Sequence, residues 1–269
     1  MSDAKLTDQQ FSYVNHLQLE QLLSVMRQIT PHPEEHIFIT THHALEIWFK
    51  HLIFDMKRII EHLSAGELTR ANWLLKRAAE IMRLAEGHWT VLETMSAADF
   101  LEFRSYLTGA SGMQSRQFRE LEVMCGLCET AGEAYRQRVA KAWPGLAEGY
   151  PITLRKAFFA AVGNSDHSLV EIYRDRWKLF ELFTLAENAF EFDRRFLSWR
   201  HSHILMVRRQ IGMRTKGTGG TIGQDYLAST ANFLFFPELW ELRHELTLSA
   251  GGEVGGTAGG RLTSAPSGR

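Results

Sequence analysis

The stretch from His36 to Met56, HIFITTHHALEIWFKHLIFDM, carries the pattern that decides the fold of this chain. Its apolar residues recur every three or four positions, a spacing that places them along one side of an α-helix. Phe38, Leu45 and Phe49 lie on this apolar side, and so does His42. A neutral histidine is costly to bury without a partner, so this position predicts either a hydrogen-bonded core histidine or a residue that meets a ligand.

The stretch from Phe192 to Gly212, FDRRFLSWRHSHILMVRRQIG, presents two further histidines on a helix of the same period. His201 and His203 are separated by about 200° around a helix axis, so they face nearly opposite ways. His203 shares its side with Trp199 and other apolar residues, whereas His201 shares its side with arginines. The pattern predicts that His203 faces the core and His201 faces solvent. It leaves open whether His203 is a ligand or a packed core histidine.

Helical spacing continues through nearly the whole chain, and the period-two alternation of β-strands is almost absent. We therefore predict an all-α protein, a single-domain helical bundle over residues 1–248 followed by a flexible, glycine-rich tail over 249–269. Ser96 and Asp99 predict a capping box at the start of one helix. The expected helices cover about 8–28, 35–63, 67–95, 98–107, 112–142, 152–161, 166–211 (as one helix or two) and 224–246.

Composition and charge exclude several classes of function. The chain has 269 residues, of which 45% are hydrophobic and 23% charged, and its formal net charge is −1. These values are typical of a globular protein and give no basic surface for nucleic acid or an anionic membrane. No uninterrupted apolar run approaches the ~18–20 residues that span a membrane. The opening MSDAKLTDQQ lacks the apolar segment of a secretory signal, so we expect a cytoplasmic protein.

Cys125 and Cys128 are spaced as CGLC inside a predicted helix. No second pair of ligands stands nearby to complete a zinc site, and the residue after the pair is Glu129 rather than the histidine of a covalent haem motif. Reduced structural thiols are favoured, and a redox pair is the alternative.

Three other segments carry candidate binding residues. Arg104 follows Phe100 by one helical turn and precedes the small-residue segment TGASGMQS, which suits either a bidentate carboxylate contact or a surface arginine. The segment KGTGGTIG over 216–223 lacks the ending of a phosphate loop, so it is predicted to be a mobile lid or a connection. Tyr13 and Leu17 share one helical face, which favours a core position over a subunit contact.

Several segments match, in their order along the chain, the pattern of one enzyme family. They are Phe38–Lys50, Asp99–Arg104, Ser111–Ser115, Trp199–His203, Val207–Gly212, Gly217–Gly220 and Phe235–Trp240. Because these motifs are long and occur together, the chain is similar to the tryptophan 2,3-dioxygenase family from about residue 10 to residue 245.

The resemblance implies an all-helical protein that binds haem b, uses O2 as co-substrate and works as a homotetramer. On this basis His203 is expected to ligate the haem iron, with Ser111 and Gly112 close to the haem. The same resemblance implies that Tyr13 and Leu17, in the N-terminal segment, complete the pocket of a neighbouring subunit.

The resemblance also implies a reaction, in which both atoms of O2 are inserted across the indole C2–C3 bond of L-tryptophan to give N-formyl-L-kynurenine. His42 is then the expected catalytic residue, close to the indole nitrogen of the substrate. Arg104 is expected to bind the substrate carboxylate, and Thr218 its ammonium group. Phe38 and Phe100 are expected to line the pocket.

Three positions depart from the usual pattern of the family. His43 stands in place of a glutamine, His16 in place of a tyrosine, and Thr221-Ile222-Gly223 in place of Ser-Ser-Gly. The family also has relatives in natural-product pathways. We therefore keep open a haem monooxygenase of the same fold that acts on tryptophan or a methylated indole. A third hypothesis, from a different class, is a non-catalytic protein that binds haem or tryptophan.

Overall fold

The computed structural model describes residues 12–107, 114–213 and 230–254, with side chains as far as Ser249. All regular structure within these ranges is helical, which confirms the predicted all-α class. The chain divides into two compact units. The first comprises Met1–Leu52, Ile81–Arg119 and Ser198–Asn232, and the second comprises Ile53–Glu80, Glu120–Leu197 and Phe233–Arg269. A single domain over 1–248 stays a prediction.

Three long helices agree with the sequence pattern: the predicted spans 35–63 and 67–95, and the later part of 166–211. The last span forms two helices, one of the two alternatives that the sequence left open, because the chain leaves the helical conformation at Asp175. The described helices are α1 (Tyr13–Leu17), α2 (Leu19–Ser24), α3 (Glu35–Ser64), α4 (Leu68–Leu92), α5 (Ala97–Arg104), a 3₁₀ turn (Ser105–Leu107), α6 (Arg116–Cys125), α7 (Leu127–Thr130), α8 (Glu133–Ala142), α9 (Leu154–Gly163), α10 (Leu169–Arg174), α11 (Phe180–Ile211) and α12 (Pro237–Val254).

The N-terminal region forms two short helices where the sequence predicted one over 8–28. Gln18 separates them, because its backbone adopts a left-handed conformation with φ of 52°. Within α1 and α2 no residue is buried. A core position for Tyr13 and Leu17 was therefore the wrong prediction, since these side chains are 72% and 42% exposed.

Helix α5 begins at the predicted cap. The side-chain oxygen of Ser96 accepts the backbone N–H of Asp99 at 3.1 Å. The Asp99 carboxylate accepts the Ser96 hydroxyl at 2.5 Å, whereas in a full capping box the acid would bond to the backbone N–H of the cap. This start places Phe100 and Arg104 one turn apart on α5, and Phe103 of the same turn is buried.

The predicted helix over 112–142 is interrupted twice in the second unit. Gly126 ends α6 with φ of 99°, and Gly132 precedes α8 with φ of 82°. These values lie in the left-handed region that favours glycine. A Cβ at Gly126 would also come within 2.7 Å of the Cβ of Arg155, whereas one at Gly132 would meet no described atom within 4 Å. Glycine is therefore required at 126 for two reasons and at 132 for one.

The buried carboxylate of Asp193 organises the start of α12, also in the second unit. It accepts the backbone N–H groups of Phe235 at 2.9 Å and Phe236 at 3.0 Å, and the indole N–H of Trp240 at 3.1 Å. Backbone N–H groups at a helix start lack partners inside the helix, and a negative charge there is favoured by the helix dipole. Pro237 suits the first position because it has no N–H to satisfy.

Helix α12 runs to Val254, past the expected end of the folded domain at residue 248. The rest of the expected tail, 255–269, and the glycine-rich segment 216–223 lie outside the described residues. In the ranges that the structure describes, no helix is long and apolar enough to cross a membrane.

Candidate functional site

Two histidines and two tryptophans from three helices form one aromatic cluster in the first unit. His42 comes from α3, Trp89 from α4, and Trp199 and His203 from α11. The Trp89 ring stacks on the His203 ring with centroids 4.7 Å apart and lies edge-on to the His42 ring at 6.3 Å. Trp199 lies 5.2 Å from Trp89 and 5.6 Å from His203. We call these four residues the His–Trp cluster. It brings together the two histidines that the sequence singled out.

The hydrogen bond of His42 defines which ring nitrogen carries the proton. Its Nδ1 lies 2.7 Å from the carbonyl oxygen of Phe38, one turn earlier in α3. A carbonyl oxygen only accepts, so Nδ1 is the donor and Nε2 keeps a lone pair. Burial lowers the pKa of His42, and this effect outweighs the Phe38 carbonyl and Glu46, which act in the opposite direction. The ring is therefore neutral at pH 7 and offers Nε2 as an acceptor.

The His203 ring is neutral as well. Burial is the largest cause, followed by electrostatic repulsion from the His42 imidazole and from Arg119, and together they lower the pKa of His203 from 6.5 to about 4. The ring contacts that the structure shows are with the faces of Trp89 and Trp199. No described residue forms a hydrogen bond with this ring. A neutral imidazole that keeps its lone pair is the form that binds transition metals.

The two histidines of α11 differ as the helical-face argument predicted. His201 is exposed, and its Nε2 lies 3.2 Å from Oδ1 of Asn232. His203 is half-buried against tryptophan rings. This confirms which histidine faces inward. The role of His203 as an iron ligand stays a prediction.

Three phenylalanines from α3 and α5 extend the apolar surface beside His42, and we call them the phenylalanine wall. The Phe38 ring lies 4.2 Å from the His42 ring and is stacked on Phe100 at 6.1 Å. Phe103 meets Phe38 edge-on at 6.0 Å and Phe100 edge-on at 5.5 Å. Arg104, half-buried, follows directly on α5. The end of α5 therefore carries a cation next to an aromatic surface.

A separate group of side chains has the spacing of a metal site. In the described part of the chain, ligand atoms of His32, Asp99 and Glu102 lie within 4.8 Å of one another. Nδ1 of His32 accepts a backbone N–H at 3.3 Å, so its proton sits on Nε2, which lies 3.3 Å from the Glu102 carboxylate. A protonated nitrogen donates a hydrogen bond and does not ligate a metal. Among the described residues, neither His42 nor His203 belongs to this group.

Comparison with known proteins places the chain in a family. Residues 2–145 and 155–246 match the family model described as tryptophan 2,3-dioxygenase. The chain is 32% identical over 262 residues to a tryptophan 2,3-dioxygenase of Caulobacter vibrioides, an alignment that covers 88% of this chain and 99% of the relative. The chain belongs to the tryptophan 2,3-dioxygenase family. It is therefore an enzyme, an oxidoreductase of the dioxygenase class.

Two further relatives extend the match. A tryptophan 2,3-dioxygenase of a Nocardioides species is 35% identical over 255 residues, which cover 88% of this chain and 95% of the relative. One of Pseudomonas aeruginosa is 32% identical over 259 residues, which cover 87% of this chain and 90% of the relative. The similarity thus spans nearly the full length of each relative.

The haem that the tryptophan 2,3-dioxygenase family implies fits the His–Trp cluster. The neutral imidazole of His203 has one unprotonated nitrogen that can bind iron. The tryptophan rings provide an apolar surface suited to the face of a porphyrin. The indole N–H of Trp89 is buried and has no hydrogen-bond partner among the described residues. Buried donors are nearly always bonded, so an unpartnered one beside His203 is expected where a polar ligand binds.

The roles of the remaining predicted residues stay predictions. Ser111, Gly112 and Thr218 lie outside the described residues. Tyr13 and Leu17 are exposed on α1, and their contact with a neighbouring subunit stays a prediction.

Sequence reasoning missed Trp89, which contacts both histidines of the cluster. Its spacing from Met82, Ala85 and Leu92 is that of a helix face buried in a core. These three residues are indeed buried, as is Trp89 itself. An aromatic residue on an apolar face is a weak signal, because the same pattern describes an ordinary packed tryptophan.

The two cysteines are free thiols, as the sequence favoured. Cys125 is buried, and burial raises the pKa of Cys128, with the nearby Glu122 carboxylate acting in the same direction. A raised pKa keeps a thiol protonated and unreactive at neutral pH. This environment supports the structural interpretation of CGLC.

Proposed function

We propose that this chain inserts both atoms of O2 across the indole C2–C3 bond of L-tryptophan, giving N-formyl-L-kynurenine in tryptophan catabolism. The observation that carries the proposal is the His–Trp cluster, in which neutral His42 and His203 meet the same Trp89 ring. One imidazole is suited to an iron and the other to an indole N–H. Together they would hold the cofactor and orient the indole.

We propose haem b as the cofactor, held through His203, with Ser111 and Gly112 beside it. When bound, haem supplies the iron at which O2 becomes reactive towards an electron-rich indole. Trp89 and Trp199 cover the His203 ring and restrict the directions in which its lone pair points. These aromatic faces also exclude water from around the ligating nitrogen.

His42 would hold the substrate ring. Its Nε2 accepts the indole N–H, while the Phe38 carbonyl holds the opposite nitrogen at 2.7 Å and so sets the tilt of the imidazole. Because burial lowers the pKa of His42, the ring is a weak base. Its contribution is the orientation of the indole, which brings the reacting carbons into position.

The amino-acid part of tryptophan would bind at the end of α5 and on the glycine-rich segment. Arg104 pairs with the carboxylate through a charge-assisted contact, and Thr218 holds the ammonium group. Phe38 and Phe100 cover the indole between these anchors, and their stacked arrangement supports this role. Contacts at both ends of the substrate convert binding energy into a fixed orientation.

We further propose a homotetramer in which the N-terminal helices complete a neighbouring subunit's pocket. The apolar side chains of Tyr13 and Leu17 are 72% and 42% exposed, which supports burial by a partner.

The reaction is tested by the mass of the product. Ferrous enzyme with tryptophan and isotopically labelled O2 is expected to give a product that carries two labelled oxygen atoms and the absorbance of formylkynurenine. A product with one labelled atom would instead identify a monooxygenase, and binding without turnover would identify a non-catalytic protein.

The cofactor assignment is tested by paired variants of α11. His203→Ala is expected to lose most of its bound haem, whereas His201→Ala keeps it, because His201 is exposed and bonded to Asn232. Equal loss from both variants would contradict the assignment.

A further inference from the structure

The carboxylate of Glu86 bridges α4 to α11 within the first unit. Its Oε1 accepts the hydroxyl of Ser198 at 2.7 Å and the hydroxyl of Ser202 at 2.8 Å. The two serines are one helical turn apart, so both hydroxyls leave α11 on the same side. All three side chains are half-buried. We call this arrangement the Glu86 bridge.

The Glu86 bridge lies directly beside the His–Trp cluster in sequence and in space. Ser202 immediately precedes His203 on α11, and Ser198 immediately precedes Trp199. Glu86 lies one turn before Trp89 on α4. The same two helices are therefore joined twice, by hydrogen bonds at Glu86 and by ring stacking at Trp89.

Ring stacking at Trp89 and hydrogen bonding at Glu86 restrict different motions of α11. Stacking of Trp89 on His203 buries apolar area but tolerates small rotations and slides, because apolar attraction has little directionality. Hydroxyl-to-carboxylate bonds are directional and strengthened by the negative charge. Successive residues point about 100° apart around a helix axis. Rotating α11 about its axis by even a fraction of that angle would therefore redirect the His203 ring. Two bonds to one oxygen oppose that turn.

We propose that Glu86 is a positioning residue: its bonds to Ser198 and Ser202 set the rotation of α11 and thereby the direction of the iron-binding nitrogen of His203. This inference depends on the proposed function, in which His203 holds haem. Among the described residues, no cation pairs with Glu86, and the side chains that donate to its carboxylate are the two serines.

Other hydrogen bonds also hold α11 near α4, so we expect the two helices to stay paired when the Glu86 bridge is removed by substitution. Further along α11, Arg209 donates to the carbonyl of Glu93 at 3.2 Å, and Gln210 donates to the carbonyl of Met95 at 3.1 Å. These bonds join α11 to the chain just after α4 and are independent of Glu86.

The test compares Glu86→Leu, the double variant Ser198→Ala with Ser202→Ala, and the conservative Glu86→Gln, whose amide oxygen can still accept both hydroxyls. Glu61→Leu, at an exposed position of α3, is the matched control. In ferrous haem-loaded protein, the iron–histidine stretching band in resonance Raman reports the orientation of His203. In haem-free protein, the rate at which diethyl pyrocarbonate modifies His203, followed by mass spectrometry with exposed His201 as internal reference, reports its shielding.

We expect Glu86→Leu and the double serine variant to shift the iron–histidine band in the same direction. We also expect them to speed His203 modification by at least about tenfold, because each removes two charge-assisted hydrogen bonds and the loss of one already corresponds to about tenfold. Glu86→Gln and Glu61→Leu should resemble the unsubstituted protein. If Glu86→Leu leaves both the band and the modification rate unchanged, the positioning role is overturned while the proposed function stands. If the unsubstituted protein shows no iron–histidine band, the proposed function fails, and the inference fails with it.

Discussion

Haem-free protein is expected to lose stability as the pH falls below 6.5, because His203 resists protonation in its folded environment. Burial, followed by electrostatic repulsion from the His42 imidazole and from Arg119, lowers the pKa of His203 from 6.5 to about 4. Between these two values the unfolded chain binds a proton that the folded chain does not, so acid favours unfolding. Each pH unit corresponds to about 1.4 kcal/mol. The loss is therefore about 2 kcal/mol at pH 5 and about 3 kcal/mol at pH 4, and it becomes negligible above about pH 7.

The assay is chemical denaturation of the haem-free protein at pH 7 and pH 5. His203→Gln removes the titrating group, so its free energy of unfolding is expected to fall by about 2 kcal/mol less over this interval than that of the unsubstituted protein. His201→Gln is the control, because it deletes an exposed histidine from the same helix. If His203→Gln and the unsubstituted protein show the same pH dependence, the buried ring does not resist protonation and the reasoning is refuted.

Replacing His42 by alanine leaves the indole N–H of the bound tryptophan substrate without an acceptor. The value of kcat/KM is therefore expected to fall by about 5- to 150-fold (about 1–3 kcal/mol). Steady-state kinetics should show a much smaller change with 1-methyltryptophan, which has no N–H, and equal losses would contradict the contact. Arg104→Leu is expected to weaken tryptophan binding by about 1.5–3 kcal/mol; an unchanged affinity in a binding titration would exclude Arg104 as the carboxylate ligand. Gly132→Ala should lower the free energy of unfolding by about 1–3 kcal/mol, because φ of 82° with ψ of 178° is a conformation that essentially only glycine adopts. Gly126→Ala should lower it by more, because its Cβ also clashes with a neighbour. Chemical denaturation measures the free energy of unfolding of both variants. A larger decrease for Gly132→Ala than for Gly126→Ala would contradict the prediction.

Helical period was sufficient to predict which side of a helix faces inward, but not where a helix stops. It distinguished His203 from His201 and outlined α3, α4 and the long part of α11. It failed at Gln18 and at Gly126, where one residue leaves the helical conformation and the periodic pattern continues across it. A short interruption changes few apolar positions, so it leaves almost no trace in the spacing.

The order of motifs along this sequence was enough to predict the family, and its helical period was enough to predict the helical class and the inward histidines. Only the folded chain showed that Trp89 contacts both histidines and that Glu86 joins the two serines of α11. The physical reason is that periodicity assigns each residue to a face of its own helix, whereas contacts between helices depend on their crossing and register. Those are set by side-chain packing between residues far apart in sequence.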